Sequence, residues 1–177
     1  MQENNLEELL YDSSKETVVR ASHVIQNDEK LFREMLDIAL ANKPKISARA
    51  SRSICESIQR DDQLAIPYFR KILKEIQIID SESVIFNLLH IFALSPLPED
   101  EDDLGWLTKT CFDWMEINVQ RIAIKVYALV ILERIARIYP EISGELIAMI
   151  ESQIPHLSPA FKSRGKKTIE KLKINLR

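Results

Sequence analysis

Glycine is nearly absent: Gly105, Gly144 and Gly165 are the 3 in 177 residues, each isolated. That excludes a Gly-rich loop wrapped around phosphates, whose backbone needs closely spaced glycines. Cysteine is almost as scarce. Cys55 and Cys111 form no metal-ligand spacing and sit alone inside helical patterns, where they read as buried thiols acting as small hydrophobes. His23, His90 and His156 lie far apart, none with another ligand type at metal spacing. No catalytic, cofactor-binding or metal-binding residue follows, and the chain reads as a non-enzyme with no small-molecule substrate. The apolar runs fall short of the roughly 18 residues that cross a bilayer, so no membrane partner is expected. The opening MQENNLEELL is too acidic and polar for a signal peptide, which points to a soluble, cytoplasmic protein. Neither sign of charge dominates: 24 Lys and Arg against 27 Asp and Glu leave −3, with no global pull toward nucleic acid. The period-two alternation of a half-buried strand is missing too.

What remains is helix. Apolar residues make up 46% of the chain, and Leu, Ile, Glu, Lys, Arg and Ala dominate it. The central stretch is Asn118 to Tyr139, NVQRIAIKVYALVILERIARIY, free of Gly and Pro and stopped by Pro140. Val119, Ile122, Ala123, Val126 and Val130 keep helical spacing, and Leu129, Ile131, Leu132 and Ile135 make its middle apolar nearly all round. Such a helix must be covered on several sides. Ten helices with short turns are predicted along the chain. Ser13 with Glu16 reads as a capping box for a helix over 15–26, and Asp28 as the cap of the next. Further helices are expected over 46–60, after Asp61-Asp62 with Ile66 buried, from Ser81 to Leu94, and from Leu104 to Met115. The last two follow Pro140 and Pro159. Residues 95–103 carry two prolines and five consecutive acids and read as an exposed acidic loop.

The second member of each helix pair repeats. VVRASHVI holds Arg20, SARASRSI holds Arg49, VQRIAIKV holds Arg121 and KSRGKKTI holds Arg164. An apolar residue follows each Arg by five, and Ala21, Ala50 and Gly165 follow directly in three. Arg49 and Arg121 stand 72 residues apart, two periods of 36, which puts an Arg-less copy at Ile85 or Phe86. A helix, a short turn and a second helix opening with apolar-x-Arg-x-Ala resembles the HEAT repeat. The array is similar to the ARM/HEAT alpha-alpha superhelix. The resemblance implies an all-α fold of about five antiparallel helix pairs in one domain over 1–177, with 1–27 a shortened capping pair. Stacking suits the physics, since one amphipathic pair cannot bury its face alone.

Charge separates the two helix sets. Basic residues prevail on the second helices: Arg49, Arg52 and Arg60 against Glu56; Arg121, Lys125, Arg134 and Arg137 against Glu133; Lys162, Arg164, Lys166, Lys167, Lys171 and Lys173 against Glu170. First helices carry Glu3, Glu7 and Glu8, or Glu141, Glu145 and Glu151. HEAT-like stacks line their concave side with second helices. The resemblance thus implies a basic concave face through Arg49, Arg52, Lys125, Arg134, Lys166 and Lys167, gripping a protein or acidic peptide as a scaffold module does. The competing structural reading makes the repeat arginines partners of acids in neighbouring turns. A second functional reading is nucleic-acid binding, by likeness of fold to the DNA alkylation repair proteins. A third makes the chain a subunit of an assembly, docking through Ile78, Ile79 and Ile117.

Overall fold

The computed structural model describes residues 6–116 and 121–175, so Glu3, Ile117, Asn118 and Val119 lie outside the described part. Among the described residues every regular element is helical. The chain divides into two compact units, Met1–Pro98 and Glu99–Arg177.

The first unit holds α1 (Leu6–Leu9), α2 (Lys15–Gln26), α3 (Glu29–Leu40), α4 (Ile46–Ile58), α5 (Phe69–Glu75) and α6 (Glu82–Leu94). Short 3-10 turns, Ile66–Tyr68 and Ile76–Ile78, flank α5. Helix α2 starts one residue later than a Ser13 cap would place it. Ser14 is the cap, and its Oγ accepts from the Thr17 amide at 3.2 Å. Ser13 instead offers its carbonyl elsewhere, so the predicted Ser13–Glu16 capping box is not formed. Asp28 caps α3 as expected, its Oδ1 accepting from the Leu31 amide at 3.0 Å. Pro67 enters the 3-10 turn before α5 rather than kinking a longer helix, and this leaves Ile66 exposed.

Helix α4 packs on α2, α3 and α6 and is the centre of this unit. It owes that place to small residues rather than to oiliness. Ser47, Ala50, Ser51, Ser53 and Ser57 are all buried, and they let three helices approach closely. Each hydroxyl donates to a backbone carbonyl: Ser47 to Ile38 at 2.7 Å, Ser51 to Ala48 at 3.1 Å, Ser53 to Arg49 at 3.1 Å, Ser57 to Ser22 at 3.0 Å. Buried hydroxyls with such partners carry no desolvation penalty of the unpaired kind.

The second unit holds α7 (Glu101–Glu116), α8 (Ala123–Ile135), α9 (Ser143–Gln153) and α10 (Pro159–Asn175). The acidic segment is shorter as a loop than predicted. Asp100 Oδ1 accepts from the Asp103 amide at 3.0 Å, so Glu101, Asp102 and Asp103 form the first turn of α7. Carboxylates are favoured there, next to unpaired amides and the positive end of the helix dipole. Helix α8 is an apolar rod shorter than the predicted 118–139: Ile124, Ala128, Leu129, Ile131, Leu132 and Ile135 are all buried, while Ile122, Ala123, Val126 and Val130 of the predicted face are only half-buried. It packs against α7 on one side and α10 on another.

Helix α10 comes closest to α9 at Gly165. A Cβ added there would lie 2.7 Å from Ile150 Cγ2, a branched stub with no freedom to swing away. Gly105, on α7, has open space where its Cβ would be. Opposite outcomes are expected from filling the two positions. Gly165→Val should lower unfolding stability by about 2 kcal/mol through overpacking. Gly105→Ala should raise it by about 0.5–1 kcal/mol through helix propensity. Urea denaturation of the two variants checks both signs.

Candidate interaction surface

The polar contacts that join helices share one trait: their partners stand about one repeat apart. Arg49 on α4 donates through Nη1 to the carbonyls of Leu10 and Tyr11, both at 2.9 Å. One turn on, Arg52 donates to the Ser13 carbonyl at 2.8 Å. Both guanidinium groups therefore satisfy carbonyls left open in the turn between α1 and α2. Arg60 donates to Ser22 Oγ at 2.8 Å, tying α4 to α2 at its other end. Arg20 lies over the exposed Tyr11 ring, 5.4 Å from the centroid.

The Arg-less copy uses Asn87. On α6 this buried amide donates to Ser51 Oγ at 2.9 Å and to the Ala48 carbonyl at 3.4 Å. The Asn87 backbone carbonyl accepts from Cys55 Sγ at 3.1 Å. Burial pushes both Cys thiols far above their usual range, and both are free. Sequence reading looked for Arg at Ile85 or Phe86 and passed over an Asn one or two positions later.

In the second unit the same task falls on a buried acid. Glu133 of α8 is 2% exposed at its side chain and has four partners. Its Oε2 accepts from Arg164 Nη2 at 2.7 Å and Thr168 Oγ1 at 2.6 Å. Its Oε1 accepts from Lys171 Nζ at 2.7 Å and Arg137 Nη2 at 3.0 Å. Burial pulls its acidity toward the neutral form. Hydrogen bonds from Lys171 and Thr168 and the charges of Arg164 and Lys171 outweigh that, so the carboxyl titrates below the usual range. Arg164 thus bonds an acid in the neighbouring turn, while Arg49 takes carbonyls and Arg20 an aromatic face. Glu133 entered the sequence reading only as a lone negative charge. Its signal was being the one acid on a basic helix, four residues before Arg137.

The six residues expected to face a partner are placed unequally. Arg52, Lys166 and Lys167 are exposed, and the two lysines make no ion pair among the described residues. Arg49 and Arg134 are half-buried. Lys125 departs from expectation. It is 5% exposed, donating to Gln153 Oε1 at 3.0 Å and to the Met115 carbonyl. Gln153 donates to that same carbonyl at 2.9 Å, so Lys125 closes the open end of α7 against α9. Burial holds its ammonium below the ordinary lysine range. It faces no partner because the α7 terminus needs its donor. Of the proposed docking edge, Ile78 is exposed at 69% and Ile79 is buried. Among the described residues no group of three or more His, Cys, Asp or Glu is arranged to hold a metal ion. Nor, among them, is any helix long and apolar enough to cross a membrane.

The Glu133 cluster carries a pH signature. With its carboxyl depressed in the folded state, the unfolded chain binds the proton more readily. The stabilisation is complete above the ordinary carboxylate range and is lost as pH falls through the folded value. Glu133→Gln should cost about 2–3 kcal/mol at pH 7, less than a fully buried pair because Arg137 and Lys171 can turn to water. The gap to the native sequence should narrow as pH drops below about 5. Urea midpoints at pH 7 and pH 3.5 measure it.

Comparison with known proteins agrees with this architecture. No curated protein and no solved structure matches the chain. A family model described as a HEAT repeat domain matches residues 5–172, nearly the whole length. The match covers well over half of the chain, and the chain belongs to the HEAT repeat domain family.

Proposed function

We propose that this chain is a non-catalytic scaffold module that holds an acidic segment of a partner protein against the basic second helices of its pairs. HEAT repeat domains are in general protein-interaction scaffolds and typically non-catalytic. The supporting observation is that positive charge on these helices exceeds what the fold consumes. Arg49 and Arg52 spend their hydrogen bonds on neutral carbonyls, and only Arg49 feels a nearby acid, Asp12. Lys166 and Lys167 stand exposed and make no ion pair among the described residues. Charge of one sign on a surface of a net acidic protein steers complementary partners and speeds their encounter. Within the first unit Arg52 carries this role with half-buried Arg49, and within the second Lys166 and Lys167 carry it with half-buried Arg134; buried Lys125 is left out.

Affinity capture from cell extract tests the reading. The triple variant Arg52→Glu, Lys166→Glu, Lys167→Glu should retain native helicity by circular dichroism and recover the wild type's acidic partners at least tenfold less. Equal recovery would falsify the basic-surface reading. A gel shift with duplex DNA at two salt concentrations separates the nucleic-acid alternative, because phosphate-backbone binding weakens steeply with salt.

A further inference from the structure

Around Glu133 the cations outnumber the acid by two. Arg137, Arg164 and Lys171 share one carboxylate that is buried beneath them. The side chains of Arg137 and Lys171 are 55% and 48% exposed. Both end on the same oxygen, at 3.0 and 2.7 Å, so their nitrogens stand within about 6 Å of each other, a span one tetrahedral anion bridges. Arg137 commits only Nη2 to Glu133 and Lys171 only one ammonium hydrogen, which leaves donors on the solvent side.

We infer that Arg137 and Lys171, held together by buried Glu133, form a binding site for a phosphorylated side chain of a partner protein. The inference rests on the scaffold reading above and adds to its basic residues a separate site for one residue type. Charge selects phosphate over carboxylate. Three cations against one acid leave two positive charges, and a phosphorylated side chain carries about −1.5 to −2, where Asp or Glu brings only one. Preorganisation selects it again, because Glu133 keeps both long side chains in place before the ligand arrives. The surroundings favour a single phosphate over a nucleic-acid backbone. Exposed Glu170 directly precedes Lys171 on α10, and exposed Glu151 pairs with Lys173 two residues further, so a run of phosphates would meet them. Each cation also has an exposed isoleucine beside it: Ile138, 58% exposed, follows Arg137, and Ile174, 69% exposed, lies three residues past Lys171 on the same helix face. These suit apolar residues flanking the phosphorylated one.

The test is an NMR titration of the full ¹⁵N-labelled chain with blocked Leu-phosphoserine-Leu. Parallel titrations use Leu-serine-Leu, Leu-glutamate-Leu and inorganic phosphate. Saturable shifts are expected at Arg137, Ile138 and Lys171, with the phosphorylated peptide binding at least tenfold tighter than the glutamate peptide and tighter than phosphate alone. Arg137→Gln and Lys171→Gln should each abolish that preference, Arg137→Lys should keep part of it, and Lys30→Gln, at an exposed lysine paired with Glu34, should leave it unchanged. No shifts at these residues, or equal affinity for the phosphorylated and glutamate peptides, overturns the site. So does equal affinity for free phosphate, or a preference that survives Lys171→Gln. If the site fails while the triple variant still loses its acidic partners, the scaffold reading stands alone; if the triple variant also keeps them, both fall.

Discussion

A polar side chain reaching back one repeat is the contact on which the packing of both units depends. Arg49 and Arg52 reach the turn before α2, Asn87 reaches Ser51 on α4, and Arg164, Thr168 and Lys171 reach Glu133 on α8. Apolar burial drives these helices together but does not choose their register, since leucine packs against leucine in many alignments. A buried amide or carboxylate is costly unless its partner stands opposite, so each clasp penalises a slipped alignment.

The clasps differ in chemistry because their surroundings differ. Between α4 and α6 the interface is closed, and a neutral amide meets the Ser51 hydroxyl and the Ala48 carbonyl. Between α8 and α10 the acid is buried but its partners reach water, so charge is tolerated. Small residues follow from the same demand for approach. Ala21 and Ala50 are fully buried and Gly165 is pressed on Ile150, so the small residue after the repeat Arg marks a tight contact.

The proposed function rests on what the clasps leave over. Donors bound to neutral carbonyls, and three cations sharing one acid, keep net positive charge on the second helices while the chain as a whole is acidic. The structural and the partner-facing readings of the repeat arginines are therefore compatible. One part of a guanidinium holds the fold while its charge remains effective at the surface.

Sequence alone determined the helical class, nearly all of the helix positions and the repeat. Those rest on local spacing: apolar residues at helical intervals, prolines at the ends, and an Arg recurring near the start of the second helices. Boundaries at caps were harder. Ser13 and Ser14 are equally good candidates, and only the path of the turn toward Arg52 decides between them. Burial of individual charges was not legible at all. Lys125, Arg134 and Lys167 look alike in sequence, yet one closes a helix end, one is half-buried and one is exposed. That depends on which backbone carbonyls a neighbouring helix leaves open, and no residue carries that information until the helices are packed.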